Sequence, residues 1–125
     1  MGDPRHDLGI AGERAVATWL AEAGWRIMAR RQRSSAGGEV DLIALDPDDV
    51  LVAIEVRARR TGRTGTGSET IDVRRTARIG HTLAAFATAN PAPHRGLRVD
   101  LVTVSPMPGT VARWRLRRVP NIGAW

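Results

Sequence analysis

Apolar and polar residues follow two different periods along this chain, and the switches between them mark out its elements. From Leu8 to Ala23, the residues Ile10, Val16, Trp19, Leu20 and Ala23 recur at roughly helical spacing, while Glu13, Arg14 and Glu22 fall elsewhere around the turn. The spacing predicts an amphipathic helix ended by Gly24, a residue free to adopt the left-handed conformation that closes helices. The period then becomes two. Trp25, Ile27 and Ala29 alternate with Arg26, Met28 and Arg30, as in a strand, before a polar loop from Gln32 to Gly38.

Glu39 to Leu45 (EVDLIAL) and Val50 to Val56 (VLVAIEV) are rich in β-branched and aliphatic residues, and Asp46-Pro47-Asp48-Asp49 between them is turn chemistry. A hairpin in the middle of a sheet is expected. Thr61 to Ser68 (TGRTGTGS) reads as a flexible glycine-rich loop, after which Ile71, Arg75, Ile79, Leu83, Phe86 and Ala87 trace a helix that stops at Asn90-Pro91. Ser68 or Thr70 is a suitable cap for it. Leu97 to Val104 reads as a strand and Ser105 to Gly109 as a turn. A last strand, Val111 to Val119, sets Arg113, Arg115 and Arg117 on one face against Ala112, Trp114 and Leu116 on the other. Helix, three strands, helix and two strands in that order predict an α/β fold, a central mixed β-sheet flanked by helices.

The 125 residues are enough for one core and too few for two, so one domain spanning 1–125 is expected. Apolar residues at 42% and charged residues at 26% match a globular chain. No stretch approaches the apolar length of a bilayer span, and Met1 to Gly12 lacks the blocks of a secretory signal, so a cytoplasmic, non-membrane protein is expected. Cysteine is absent, which excludes disulfides, thiolate catalysis and thiolate zinc sites.

Charge changes the picture more. The formal net charge of +6 favours polyanionic partners, nucleic acid first among them. All 19 basic residues are arginine. A compositional drift that replaces lysine throughout explains this more simply than separate demands for a guanidinium at every position.

The candidate chemistry lies in Gly38-Glu39-Val40-Asp41 and Ile54-Glu55-Val56-Arg57, on two strands expected to be neighbours. Strand alternation places Glu39 with Asp41 on one face and Glu55 with Arg57 on one face. If the register sets Asp41 opposite Glu55, two carboxylates and a guanidinium converge. Crowded carboxylates repel unless a cation or proton intervenes, and Mg²⁺ is usually held by one or two carboxylates, water and substrate phosphate. Phosphodiester hydrolysis fits that outline. The ordinary alternative is that Asp41 and Glu55 merely pair with Arg57 and Arg59, although both acids sit in apolar strands where a lone charge is costly.

GER-A at Gly12 to Ala15, GGEVDLIA at Gly37 to Ala44 and AIEVRAR at Ala53 to Arg59, with LRVDLV near Leu97 and the closing PNIGAW, resemble the signatures of the YraN family. Its members are small bacterial endonuclease-like proteins similar to archaeal Holliday-junction resolvases and other PD-(D/E)xK nucleases. The resemblance covers nearly the whole chain. It implies a restriction-endonuclease-like core and a Mg²⁺- or Mn²⁺-dependent endonuclease acting on DNA, with a twofold homodimer and branched or recombination intermediates as the expected assembly and substrates. Position by position, it implies metal ligation by Glu13, Asp41 and Glu55, a catalytic set of these with Arg57, and nucleic-acid contacts at Arg59 and Arg75. Arg57 departs from the pattern, which has lysine there. A noncatalytic nucleic-acid-binding module that keeps the nuclease fold is therefore the alternative.

Other features point less far. Gly62 to Gly67 lacks the Lys-Ser/Thr pair of a P-loop and the third glycine of GxGxxG, so a flexible loop is expected there. His6, His81 and His94 share no ligand spacing. Trp19 and Trp114 lie on predicted apolar faces and are expected to pack.

Overall fold

A computed structural model describes residues 3–34, 38–60, 72–109 and 113–123. Its elements are α1 (Pro4–Glu22), β1 (Arg26–Arg33), β2 (Glu39–Leu45), β3 (Leu51–Ala58), α2 (Val73–Ala89), β4 (Leu97–Pro106) and β5 (Trp114–Val119). The strands form one five-stranded sheet in the order β1-β2-β3-β4-β5. β3 and β4 run parallel and the other neighbours antiparallel, so the sheet is mixed. A parallel pair cannot be closed by a tight turn, and α2 supplies the crossover.

The helices cover opposite faces. α1 buries Val16, Ala17 and Leu20 against Leu42, Ala44, Val52, Ile54, Val102 and Val104. α2 buries Ile79 and Leu83 against Val40, Ile43, Leu51, Ala53 and Val99. β3 shows why its sequence is a continuous apolar run, since Val52 and Ile54 face α1 while Leu51 and Ala53 face α2. Each fully buried Leu or Ile here contributes about 1.5–3 kcal/mol relative to exposure.

The expected element order is found, with differences at the edges. α1 begins at Pro4 rather than Leu8, because proline suits the first helical position, where no N–H is needed. β1 runs through Gln32 and Arg33, which had been assigned to the following loop, and pairs them with Val40 and Glu39. The register of β1 shifts between Ile27 and Ala29, so Ile27 packs toward α1 while Ala29 packs toward α2, breaking the expected alternation. Ser105 and Pro106 extend β4 instead of turning. The cap of α2 is Asp72, whose carboxylate accepts the N–H groups of Arg74 and Arg75, rather than Ser68 or Thr70. Those two residues, the glycine-rich Thr61 to Ser68 and Ile71 lie outside the described residues, as do Ala112 and Trp125.

The turn from β2 to β3 follows its chemistry closely. Asp46 accepts the N–H groups of Asp48 at 2.8 Å and Val50 at 2.9 Å, and Asp49 takes the positive φ of 65° that lets the chain reverse. Among the described residues no helix is long and apolar enough to cross a membrane.

Candidate functional site

Glu13 is delivered by α1, and Gly12 beside it sets how close that helix comes. A Cβ on Gly12 would lie 2.9 Å from Val104 Cγ1 and 3.2 Å from Ala58 Cβ, so the helix rests on β3 and β4 only because that side chain is missing. The Glu13 carboxylate is largely covered and accepts from the Arg31 guanidinium, Nε and Nη2 both at 3.2 Å from Oε2. Arg31 sits in β1 with φ 49°, a left-handed conformation unusual for a residue with a side chain.

Asp41 stands where β2 changes its phase. Val40 packs toward α2 and Leu42 toward α1, although residues two apart on a regular strand share a face. The pairs Arg30 with Leu42 and Gln32 with Val40 put Arg31 level with Asp41 on one side, and Leu42 with Ile54 is the last rung of β2 on β3. Beyond that rung the Val56 N–H goes to Asp41 Oδ2 at 2.8 Å, a side chain in place of a backbone acceptor. Asp41 therefore reaches across the sheet plane, and the expected sharing of a face with Glu39 gives way. Glu39 is exposed and pairs with Arg33 at 3.2 Å.

Burial pushes the Asp41 carboxyl up from 3.8 to about 7. The Val56 N–H opposes the rise, the charges of Glu55 and Glu13 add to it, and a hydrogen bond to Glu13 favours the protonated form. Asp41 thus binds and releases its proton near neutral pH, where an exposed aspartate is ionised.

Glu55 comes from β3, where Leu51 and Ala53 have set its face toward α2. Its side chain is 9% exposed, and the Arg75 guanidinium grips it with Nε at 2.9 and 3.0 Å from the two oxygens and Nη2 at 2.8 Å from Oε1. The Glu55 hydrogen bond in turn raises the Arg75 pKa above its ordinary value. Arg75 can do this because the Asp72 cap fixes the first turn of α2 beside β3. Arg57 lies two residues further along β3, half-buried and level with Thr103 of β4. Arg59 is exposed just past the strand, its N–H donated to Val104 O at 2.8 Å.

Glu13 from α1 and Glu55 from β3 are thus each brought within electrostatic reach of Asp41 in β2. Glu13 opens onto a cavity of about 290 Å³ lined by Ile10, Glu13, Arg14, Arg30, Arg31 and Leu42. A larger groove, about 710 Å³, lies between α1 and β5 and includes Trp19, Met107 and Trp114, but none of the three clustered acids. Charge and volume point to different places, and charge is the better guide to chemistry. Among the described residues no group of three His, Cys, Asp or Glu side chains is arranged to hold a metal ion as it stands. Arg31 and Arg75 face the outer acids instead.

A family model described as "Uncharacterised protein family UPF0102" matches residues 12–104. The chain belongs to this family, also called YraN. A UPF0102 protein of Symbiobacterium thermophilum is 42% identical over 112 residues, covering 87% of this chain and 91% of its own length. One from Anaeromyxobacter dehalogenans is 38% identical over 104 residues, covering 83% and 76%. One from Chlorobium phaeobacteroides is 31% identical and covers 93% of each. The UPF0102 match opens at Gly12 and ends at Val104, two residues that touch across the α1 contact.

Two further signatures of this UPF0102 chain prove to be structural. Gly38 passes so close to α2 that a Cβ would lie 2.9 Å from Thr82 Oγ1. In LRVDLV, Asp100 is fully buried and accepts from Arg98 at 2.8 and 3.1 Å, Arg118 at 3.0 Å and the Asn121 N–H at 2.9 Å. Arg98 also pairs with Asp46 at 3.0 Å, and the guanidinium carbons of Arg98 and Arg118 lie 5.9 and 5.4 Å from the Trp25 ring centre. Sequence reading missed this cluster. Its signal was available, since Arg98 and Asp100 share a face by alternation and Asp100 lies in an apolar strand. His6, His81 and His94 are exposed, and Trp19 and Trp114 pack partly buried against the α1 side of the core.

Proposed function

We propose that this chain is a metal-dependent nuclease that hydrolyses phosphodiester bonds of DNA, with branched or recombination intermediates as substrates, on a restriction-endonuclease-like core. The observation that supports this reading is a buried Asp41 that feels both Glu13 and Glu55, from two other elements, with its carboxyl raised to about 7. A structural ion-pair network gives each acid its own cation. Asp41 instead takes a backbone N–H and stands near the charges of Glu13, Glu55 and Arg75, two acids to one guanidinium that already grips Glu55.

The donor set suits Mg²⁺ or Mn²⁺, which take carboxylate oxygens and commonly need only one or two of them. When bound, such a cation would neutralise charge developing on the scissile phosphate and make bound water more acidic. Asp41 would hold it after giving up its proton, with Glu13 and Glu55 as the other ligands. The Arg57 guanidinium carries donors and no acceptor, so its part would be to orient phosphate by charge. Arg59 at the end of β3 and Arg75 at the start of α2 flank the acids and would meet the nucleic-acid backbone. A cytoplasmic location and a twofold pair acting on two strands belong to the same reading.

A noncatalytic nucleic-acid-binding module is the second reading, favoured by Arg57 at the lysine position of the motif and by Arg75 seated on Glu55. Cleavage assays with Mn²⁺ or Mg²⁺ on branched, flapped and single-stranded DNA separate the two. The nuclease reading expects slow cleavage that Asp41→Asn or Glu55→Gln abolishes. DNA and metal binding without cleavage of any substrate, in both the natural chain and Arg57→Lys, would replace it with the second.

A further inference from the structure

The Arg75 and Glu55 pair is mismatched in accessibility. The carboxylate is 9% exposed and fixed in the middle of a sheet, while the guanidinium gripping it is 48% exposed and sits on a long side chain in the first turn of α2. One partner can leave and the other cannot. The fork uses both oxygens of Glu55, so a dication brought to the same carboxylate would meet a positive charge already in place. Arginine binds phosphate with the same two-pronged geometry that it uses for carboxylate.

We propose that Arg75 is an exchangeable counter-ion for Glu55: it neutralises the carboxylate in the free protein and transfers to a backbone phosphate when nucleic acid docks, which opens Glu55 to the metal. This inference rests on the metal-site reading above and adds an order of events to it. Nucleic acid and metal then bind cooperatively, each raising the affinity for the other by the same factor. A free protein with Glu55 capped in this way should take up little metal. Arg31 does not fill this role equally well. It holds a single oxygen of Glu13, at 3.2 Å, and does so from a strained backbone position.

The test measures binding and not turnover. Mn²⁺ affinity of the full chain is measured by calorimetry without DNA for the natural protein, Arg75→Met and Arg75→Lys. Affinity for a labelled DNA junction is then measured with Ca²⁺ and with chelator. Arg75→Met is expected to bind Mn²⁺ about tenfold more tightly than the natural chain, and Arg75→Lys to lie between them. In the natural chain Ca²⁺ should tighten junction binding by about fivefold or more, and in Arg75→Met that coupling should fall below about twofold. Equal Mn²⁺ affinity in the natural chain and both variants, with the coupling retained, would overturn the exchange and leave the metal site standing. No Mn²⁺ uptake by any of the chains would overturn the metal site and the exchange together. If Arg75→Met fails to fold, Arg75→Lys carries the comparison, since a single ammonium keeps the charge and loses the fork.

Discussion

The Asp41 carboxylate accepts the Val56 N–H at 2.8 Å, which makes a side chain the last acceptor of the β2 and β3 ladder. The sheet therefore parts at the point where an acid is needed, without leaving that N–H unpaired. An asparagine keeps the acceptor and removes the charge, so Asp41→Asn isolates the electrostatic part of the site.

That substitution should change the pH dependence of stability. The folded Asp41 pKa of about 7 lies above its ordinary 3.8, so between these values the folded state binds more protons than the unfolded state. Stability from this group is fully present below 3.8, declines as pH rises toward 7 and is lost above it. Asp41→Asn should flatten this decline and raise stability at pH 8 by about 1–3 kcal/mol, read from denaturant midpoints at pH 4 and pH 8. A variant less stable than the natural chain at pH 8 would contradict the buried-charge account.

Metal uptake should release protons in the acid range. At pH 6 Asp41 is largely protonated, and a carboxylate must be ionised to hold a cation. Mn²⁺ binding at pH 6 should release about one proton per ion and at pH 8.5 almost none. Calorimetry in buffers of different ionisation enthalpy measures the difference, and Asp41→Asn should abolish it.

Arg57 invites a gain-of-rate test. If the motif lysine acts through its charge, the bulkier guanidinium should support slow cleavage, and Arg57→Lys should increase the rate by about tenfold with no change in Mn²⁺ affinity. Single-turnover rates on a junction substrate provide the comparison. A slower Arg57→Lys would show that the fork itself is required.

Asp100 should matter for stability alone. Arg98, Arg118 and Asn121 all donate to its buried carboxylate, so Asp100→Ala leaves two guanidinium groups without their shared acceptor. A loss of about 3–5 kcal/mol is expected in denaturant unfolding. Metal affinity of the folded fraction should stay unchanged.

Much of the fold could be read from periodicity, because the core is two-sided and its helices and strands carry distinct patterns. Glu39 to Leu45 and the Asp46 turn were legible to the residue, since β-branched runs and an Asx turn are local signals. For the site, the sequence offers candidate acids and not their geometry. Alternation placed Glu39 beside Asp41, but the phase break between Val40 and Leu42 answers to packing against both helices, which no local pattern encodes. For the same reason the shift at Ile27 and Ala29 could not be read from residue types. The apolar spacing alone extends α2 back to Ile71 and so hides Asp72, although Asp is as good a cap as Ser. Arg31 and Arg75 became partners of the acids only through tertiary contact.

The Asp100 cluster also bears on the order in which the chain can fold. Its participants lie at Trp25, Asp46, Arg98, Arg118 and Asn121, nearly a hundred residues from first to last. A sheet of β1 to β4 alone would bury Asp100 with Arg98 as its remaining donor, without Arg118 and the Asn121 N–H. Closure of that end of the sheet is therefore expected to accompany the docking of β5 rather than precede it.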